Sequence, residues 1–381
     1  MRTTGALLAI GLLRLAAFGD GNDGFNAGVD RSDPNFVTAS VMVASPGDEL
    51  FSCTGHVFLR LECPTFNLDY CFSDESERVS DRVFTFLAGN LKMGLFAVPT
   101  GEMLEEYRKD RRGVRQYRLD LPADVKQRLW RILDEEAAKG ANIPYDYDTR
   151  GCAKSVLNLI RRAAQPTRLE TTSAAERATG DTRREMGCTM LGKTHPWNLF
   201  LLNGIVGVEA DNFDPVVTPQ SLVNYLRTVK LEGRPVVPGE GVEILKGIAP
   251  APPGWLTPIR AAGLLVVLSL VNWFIRKPFI DWAFLAFQTA LGFFFVYLTA
   301  FSGLPTAHWN WLLVPFNPLP LVFWRWRRYW AWPFAAVLVA WEAFMLLSPH
   351  QLTDWAYVVI VIASVVFYVR QGKHIRQHYG I

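Results

Sequence analysis

Two hydrophobic rhythms divide this chain. Up to about residue 255, apolar residues recur at the short periods of globular elements. Thr38 to Ala44 alternates and is β-rich, and His56 to Leu61 alternates His56, Phe58 and Arg60 with Val57, Leu59 and Leu61, the period of two expected of a strand. Phe66 to Phe72 and Val114 to Leu119 read as further strands, and Ser45-Pro46-Gly47-Asp48 as a turn. Asp120-Leu121-Pro122 predicts a helix start that runs to about Lys139 and stops at Gly140. Ala153 to Arg162 predicts a helix with Val156, Leu157, Leu159 and Ile160 apolar, and Ser221 to Lys230 a shorter one. Pro166 to Glu185 is polar without an apolar period and reads as a surface loop. Strands and helices do not alternate, which points to an α+β domain.

After residue 255 the rhythm gives way to long apolar runs, and the only acidic residues are Asp281, Glu342 and Asp354. A helix needs roughly 20 apolar residues to cross a bilayer. Five spans are expected: Ile259 to Ile275, Phe279 to Phe301, a short Trp311 to Trp324, Trp330 to Leu347, and Trp355 to Val369. Basic residues follow the first (Arg276, Lys277), the third (Arg325, Arg327, Arg328) and the fifth (Arg370, Lys373, Arg376), whereas Ser302 to Asn310 and Ser348 to Asp354 have no Lys or Arg. Positive charge marks cytoplasmic loops, so by parity the domain before the first span lies outside. The N-terminus agrees: Met1-Arg2 precedes the apolar stretch Gly5 to Leu13, an export signal or short anchor interrupted by Arg14, and Gly19 to Asn35 reads as a linker. The expected organisation is signal and linker over 1–35, an extracytoplasmic domain over 36–254 and a transmembrane bundle over 255–381. His308-Trp309-Asn310-Trp311 and Pro315-Phe316-Asn317-Pro318 read either as an interfacial aromatic belt or as a lipid-headgroup site.

Charge adds little: a formal net charge of +3, without a basic stripe, gives no ground for nucleic-acid binding. Cys53, Cys63, Cys71, Cys152 and Cys188 contain no CxxC pair and no zinc spacing; one disulfide plus buried cysteines is the plain reading. Gly187-Cys188-Thr189-Met190-Leu191-Gly192-Lys193-Thr194 matches a phosphate-loop pattern, but polar residues precede it where a buried strand is required, and it is rejected. The constellation that carries chemistry is Gly55-His56 at a strand head and Cys152 at a helix head. A helix N-terminus and a nearby imidazole both stabilise thiolate. His195, before Pro196-Trp197, is the other histidine of this half, and His56 is the preferred base.

Three blocks carry a family resemblance: Pro46-Gly47-Asp48-Glu49-Leu50 with Gly55-His56-Val57-Phe58-Leu59-Arg60; Tyr145-Asp146-Tyr147-Asp148 with Cys152; and Pro196-Trp197-Asn198-Leu199-Phe200 with Gly204, Gly207 and Asp211. In these the chain resembles the Lnb-type bacterial lipoprotein N-acyltransferases. The resemblance implies a permuted papain-like, NlpC-like extracytoplasmic domain followed by the transmembrane bundle, at the bacterial inner membrane. It implies Cys152 as nucleophile and His56 as base, with Asp69 orienting the imidazole and Asn67 as the alternative. A membrane phospholipid would be the acyl donor, a diacylated lipoprotein the acceptor, and no metal or organic cofactor would be needed. Arg60, Tyr147, Asp148, Arg260, His308 and Asn310 are the expected substrate-binding residues. Two other classes use the same features: a membrane-tethered cysteine peptidase or amidase of the cell wall, and a non-catalytic envelope assembly protein.

Overall fold

A computed structural model describes residues 30–49, 52–76, 82–140, 143–144, 151–173, 176–177, 180–348 and 354–379, with side chains to residue 372. The expected export signal, and the candidates Tyr147 and Asp148, lie outside the described residues. The chain divides into two compact units: residues 1–181 with 213–250, and residues 182–212 with 251–381.

The first unit is α+β, built on an antiparallel sheet. Its strands are β1 (Thr38–Ala44), β2 (His56–Cys63), β3 (Leu68–Ser76), β4 (Lys92–Pro99), β5 (Val114–Arg118), β6 (Ile143–Pro144) and β7 (Val242–Leu245), in the spatial order β7-β5-β1-β2-β3-β4-β6. The central strands are buried on both faces, so their alternation separates two cores. On one face Ala39, Val41, Val57, Leu59, Leu61 and Phe72 meet three helices: α2 (Ala123–Ala138, with Leu129, Trp130 and Leu133), α3 (Cys152–Ala164, with Val156, Leu157 and Ile160) and α6 (Pro219–Thr228, with Leu222, Val223 and Leu226). On the other face Met42, Ala44, Phe58, Cys71 and Val114 pack on Met103 and Tyr107 of α1 (Thr100–Lys109). Burying each large apolar side chain contributes about 1.5–3 kcal/mol, so this double layer fixes the strands that carry polar side chains at the sheet's end. Strand β4, helix α1 and strand β7 were not expected from the sequence.

The second unit contains α4 (Arg183–Leu191) and α5 (Pro196–Ile205), followed by α7 (Pro258–Ile275), α8 (Pro278–Ala300), α9 (Arg327–Leu347) and α10 (Trp355–Tyr379). The polar stretch read as a loop therefore ends in a helix, capped where Thr182 Oγ1 accepts from the Glu185 N–H. Among the described residues, four helices are long and apolar enough to cross a membrane: Pro258–Ile275, Pro278–Ala300, Trp324–Leu347 and Trp355–Gly372. The third span, expected over Trp311 to Trp324, is not a continuous helix. Pro315, Pro318 and Pro320 lack the N–H groups that a helix needs. The stretch is instead a 3-10 turn at Trp311–Leu313, one helical turn at Leu319–Val322 and another 3-10 turn at Trp324–Trp326.

This broken segment runs antiparallel along α8. Phe316 stacks on Phe295, the Pro315 carbonyl accepts from Gln288, and Trp324 lies against Trp282. Toward the Trp282 end, Asp281 accepts from Asn272 of α7 and pairs with Arg370 of α10. The basic clusters at Arg276-Lys277, Arg325 to Arg328 and Arg370 thus gather at one end of the helical unit, and α5 packs near the start of α10, where Tyr357 donates to the Phe200 carbonyl.

Candidate active site

Gly55 sets the entry to β2. Its φ of +84° is left-handed, and a Cβ there would sit 2.9 Å from the Ala44 carbonyl oxygen, so a side chain at this position would strain the turn that delivers His56. His56 is the first residue of β2, opposite Ala44 of β1, and its ring stacks on Phe58 on the α1 face. Cys152 is the first residue of α3, after Gly151. There the unpaired N–H groups of the first turn and the helix dipole favour a negative sulfur.

The two side chains hydrogen-bond each other, and the Val57 backbone N–H donates to the same sulfur. Burial alone would push the Cys152 thiol up, but the charge and hydrogen bond of His56, with the Val57 N–H, hold it below the ordinary thiol range. Burial alone would likewise push the His56 imidazole down, but the Cys152 charge and hydrogen bond, with Glu75 beyond, hold it above its ordinary value. Both shifts have one cause: each group favours the charged form of the other, the direction that leads toward a thiolate–imidazolium pair.

The other side of the ring is wired to β3. His56 Nε2 lies 2.8 Å from Ser73 Oγ, and Ser73 Oγ donates to Glu75 Oε1 at 2.9 Å. Since Ser73 gives its proton to the carboxylate, its oxygen accepts from Nε2–H. The imidazole then presents Nδ1 as its basic nitrogen toward the thiol. On the opposite face of β3, Asp74 bonds Ser155 of α3, and burial raises its carboxyl pKa.

Asp69 does not fill the orienting role expected of it. It lies four residues before Ser73 on the same strand, about 13 Å away at roughly 3.3 Å per residue. Its carboxylate accepts from Arg60 Nε at 2.9 Å, from Arg60 Nη2 at 2.8 Å and from Thr100 Oγ1. Burial would raise its pKa; the Arg60 and Thr100 bonds hold it below the usual carboxylate range. Asn67 sits in a left-handed turn at the entry to β3. Arg60 is in turn committed: Nη1 donates to Gln116 and Nη2 also pairs with Glu62, which leaves it poorly placed to hold a phosphate.

The remaining candidates belong to the second unit. Arg260, exposed, donates to the Trp255 carbonyl; His308 donates from Nε2 to the Ser302 carbonyl at 2.9 Å. Asn310 is buried and donates to the Gly204 carbonyl at 2.7 Å while accepting from the Leu312 N–H, a structural brace between α5 and the loop. His195 stands at the N-terminal boundary of α5, and its ring contacts Thr194, with Nδ1 2.9 Å from Thr194 Oγ1. The phosphate-loop string lies within a helix that begins at Arg183, so no buried strand leads directly into Gly187. All five cysteines are free thiols, so the expected disulfide is not formed; burial pushes the Cys71 thiol up to about 12.

Ser73 and Glu75 were missed from the sequence. Alternation puts Asp69, Cys71, Ser73 and Glu75 on one face of β3, but only the cross-strand register shows which of them meets position 56. Continuing the pairing Leu59↔Phe72 brings position 75 opposite 56.

Residues 26–186 match the family model described as the Lnb N-terminal periplasmic domain, which supports the resemblance drawn from the motifs. No curated protein matches the chain, and no solved structure does.

Proposed function

With residues 26–186 an Lnb-type periplasmic domain, followed by helices able to cross a membrane, we propose that the protein is a phospholipid-dependent lipoprotein N-acyltransferase with Cys152 as nucleophile. The single observation that carries this reading is the Cys152–His56 pair with its Ser73–Glu75 relay.

The Cys152 thiolate attacks an ester carbonyl of the donor lipid. As the tetrahedral intermediate collapses, His56 passes its Nδ1 proton to the departing glycerol oxygen, releasing a lysophospholipid and leaving an acyl thioester. The neutral α-amino group of the acceptor's diacylglyceryl-cysteine then attacks the thioester carbonyl. His56 Nδ1 takes the amine proton, an amide forms and the thiolate departs, which restores the ion pair. Both substrates are membrane-anchored, so a catalytic domain on a helical membrane unit avoids lifting either from the bilayer and gains proximity.

Mass spectrometry of the protein isolated from membranes tests the assignment. A fatty-acyl adduct on Cys152, labile to hydroxylamine and absent from Cys152→Ser, is expected, and His56→Ala should prevent its formation. A cell-wall peptide on Cys152 would instead identify a peptidase or amidase, and an unmodified, unreactive thiol would sink the enzyme reading.

A further inference from the structure

A buried guanidinium beside the site has no carboxylate partner among the described residues. Arg112 follows Arg111, whose φ is 57°, in the turn between α1 and β5, and is only 8% exposed. Its Nε donates to the Ser45 carbonyl at 2.7 Å, and its Cζ lies 4.9 Å above the Tyr107 ring. Nη2 is buried without a hydrogen-bond partner among the described residues. Tyr107 stacks on Phe58 (5.5 Å, 4°), and Phe58 stacks on His56 (6.0 Å, 26°). A column of four flat groups, guanidinium, phenol, phenyl and imidazole, thus stands on one face of the sheet. Burying a cation without a counter-ion costs several kcal/mol, so this one should be balanced by charge in its surroundings.

The groups around His56 show what it balances. Cys152 comes from α3, Asp74 and Glu75 from β3, Tyr107 from α1, and Arg112 from the following turn; Glu106 of α1 faces solvent on the Glu75 side. Burial favours the uncharged forms of Asp74 and Tyr107. In the resting site, thiolate and Glu75 carboxylate then oppose imidazolium and guanidinium. In the acyl-enzyme the sulfur is a neutral thioester and the His56 proton has left with the lysolipid oxygen. Glu75 then pulls a proton back toward the ring, and burial of the ring together with the Arg112 charge opposes that pull.

We propose that Arg112 is a positioning residue: a buried counter-charge that keeps His56 unprotonated in the acyl-enzyme, so that the ring can take the proton of the attacking amine. The proposal rests on the reading of Cys152 as the acylated nucleophile. Arg112 contributes little to the first step, which starts from the ion pair, and much to the second, which needs neutral imidazole.

The test uses the full chain in lipid nanodiscs, with phosphatidylglycerol and, separately, a p-nitrophenyl fatty ester as donors and a diacylated lipopeptide as acceptor. Thioester formation and its decay are followed by quenched mass spectrometry. Arg112→Gln should form the thioester at close to the wild-type rate, whereas aminolysis should slow roughly tenfold at neutral pH and recover as pH rises. Arg112→Lys should stay near wild type, and Arg112→Gln/Glu75→Gln should regain aminolysis because both charges are gone. Equal slowing of the two steps, or slowing that neither higher pH nor the Glu75→Gln change relieves, would overturn the role. Should Arg112→Gln not fold, Glu75→Gln alone must shift the aminolysis limb to lower pH, and an unmoved limb overturns the proposal. A wild-type thiol loaded by the p-nitrophenyl ester but not by phospholipid would refute the donor assignment while leaving this test intact. A thiol that neither donor loads ends both.

Discussion

Ser73 decides which nitrogen of His56 is basic. Its hydroxyl is tied to Glu75, so it accepts from Nε2–H and leaves Nδ1 for the thiol. Ser73→Ala removes that acceptor without disturbing an apolar contact, and thioester formation should slow about 10- to 100-fold while thermal stability stays near wild type. Burst kinetics with a p-nitrophenyl ester would measure it, and an unchanged burst would show that tautomer control lies elsewhere. The thiol itself has a pH signature. Because His56 holds the Cys152 pKa low, iodoacetamide alkylation should persist at neutral pH and fall only as pH drops through the lowered value. In His56→Ala, burial loses its main opponent and only the Val57 N–H and the helix N-terminus remain, so alkylation should require a higher pH than in the wild type. A profile that His56→Ala leaves in place would refute the pairing. At this scale His56 and Cys152 were legible, because a Gly-His at a strand head and a Cys at a helix head are local patterns. The orienting group was not. Asp69, Ser73 and Glu75 share one face of β3, and a carboxylate is the commoner partner in principle, but strand period gives a face and not a distance.

The broken segment over residues 311–326 shows how an element can be legible in composition and illegible in form. Its apolar run reads as a short span, yet three prolines deny it a helical ladder, and carbonyls freed at membrane depth need donors. The surrounding helices and the segment itself supply them: Gln288 donates to the Pro315 carbonyl, Asn317 to that of Val314, and Trp341 to that of Trp311. Tyr368, in turn, donates to Gln288 and fixes its amide. Apart from Asn317, these partners come from three helices, which no local pattern could disclose. Close approach is also needed, and Gly292 of α8 permits it, since a Cβ there would lie 2.6 Å from the Asn317 carbonyl carbon and 2.7 Å from the Pro318 nitrogen. Backbone cannot yield as a side chain can. Gly292→Val should therefore cost about 1–3 kcal/mol or more of the helical unit's stability, seen as a lower Tm in detergent. Gly263 of α7 has open space at the corresponding point, so Gly263→Ala is the matched control and should leave Tm unchanged or slightly raised.

For the whole molecule, the division between units does not follow chain order. Residues 182–212 interrupt the first unit in sequence, yet they belong with the membrane-capable helices. Helix α5 explains why. Its sequence Pro-Trp-Asn-Leu-Phe-Leu-Leu-Asn-Gly-Ile is apolar nearly all round, its Phe200 ring stacks on Tyr357 at 4.4 Å, and its Gly204 carbonyl is held by Asn310. Trp197 and Leu201 remain about half exposed, an apolar surface that suits a membrane boundary and not bulk water. A cut at residue 250 should therefore fail to give a soluble domain, because it strips α5 of its partners. Replacing 182–212 in that fragment by about ten Gly and Ser residues, a linker reaching about 17 Å, should remove the liability. The strands, α2, α3 and α6 of the first unit stay intact in this fragment, so it should be monomeric without detergent and should still alkylate at Cys152 near neutral pH. Size-exclusion chromatography with iodoacetamide labelling reads both outcomes. If the fragment that keeps 182–212 is equally soluble, α5 is not a membrane element; if the shortened one loses its reactive thiol, the site depends on more than the unit that contains its residues.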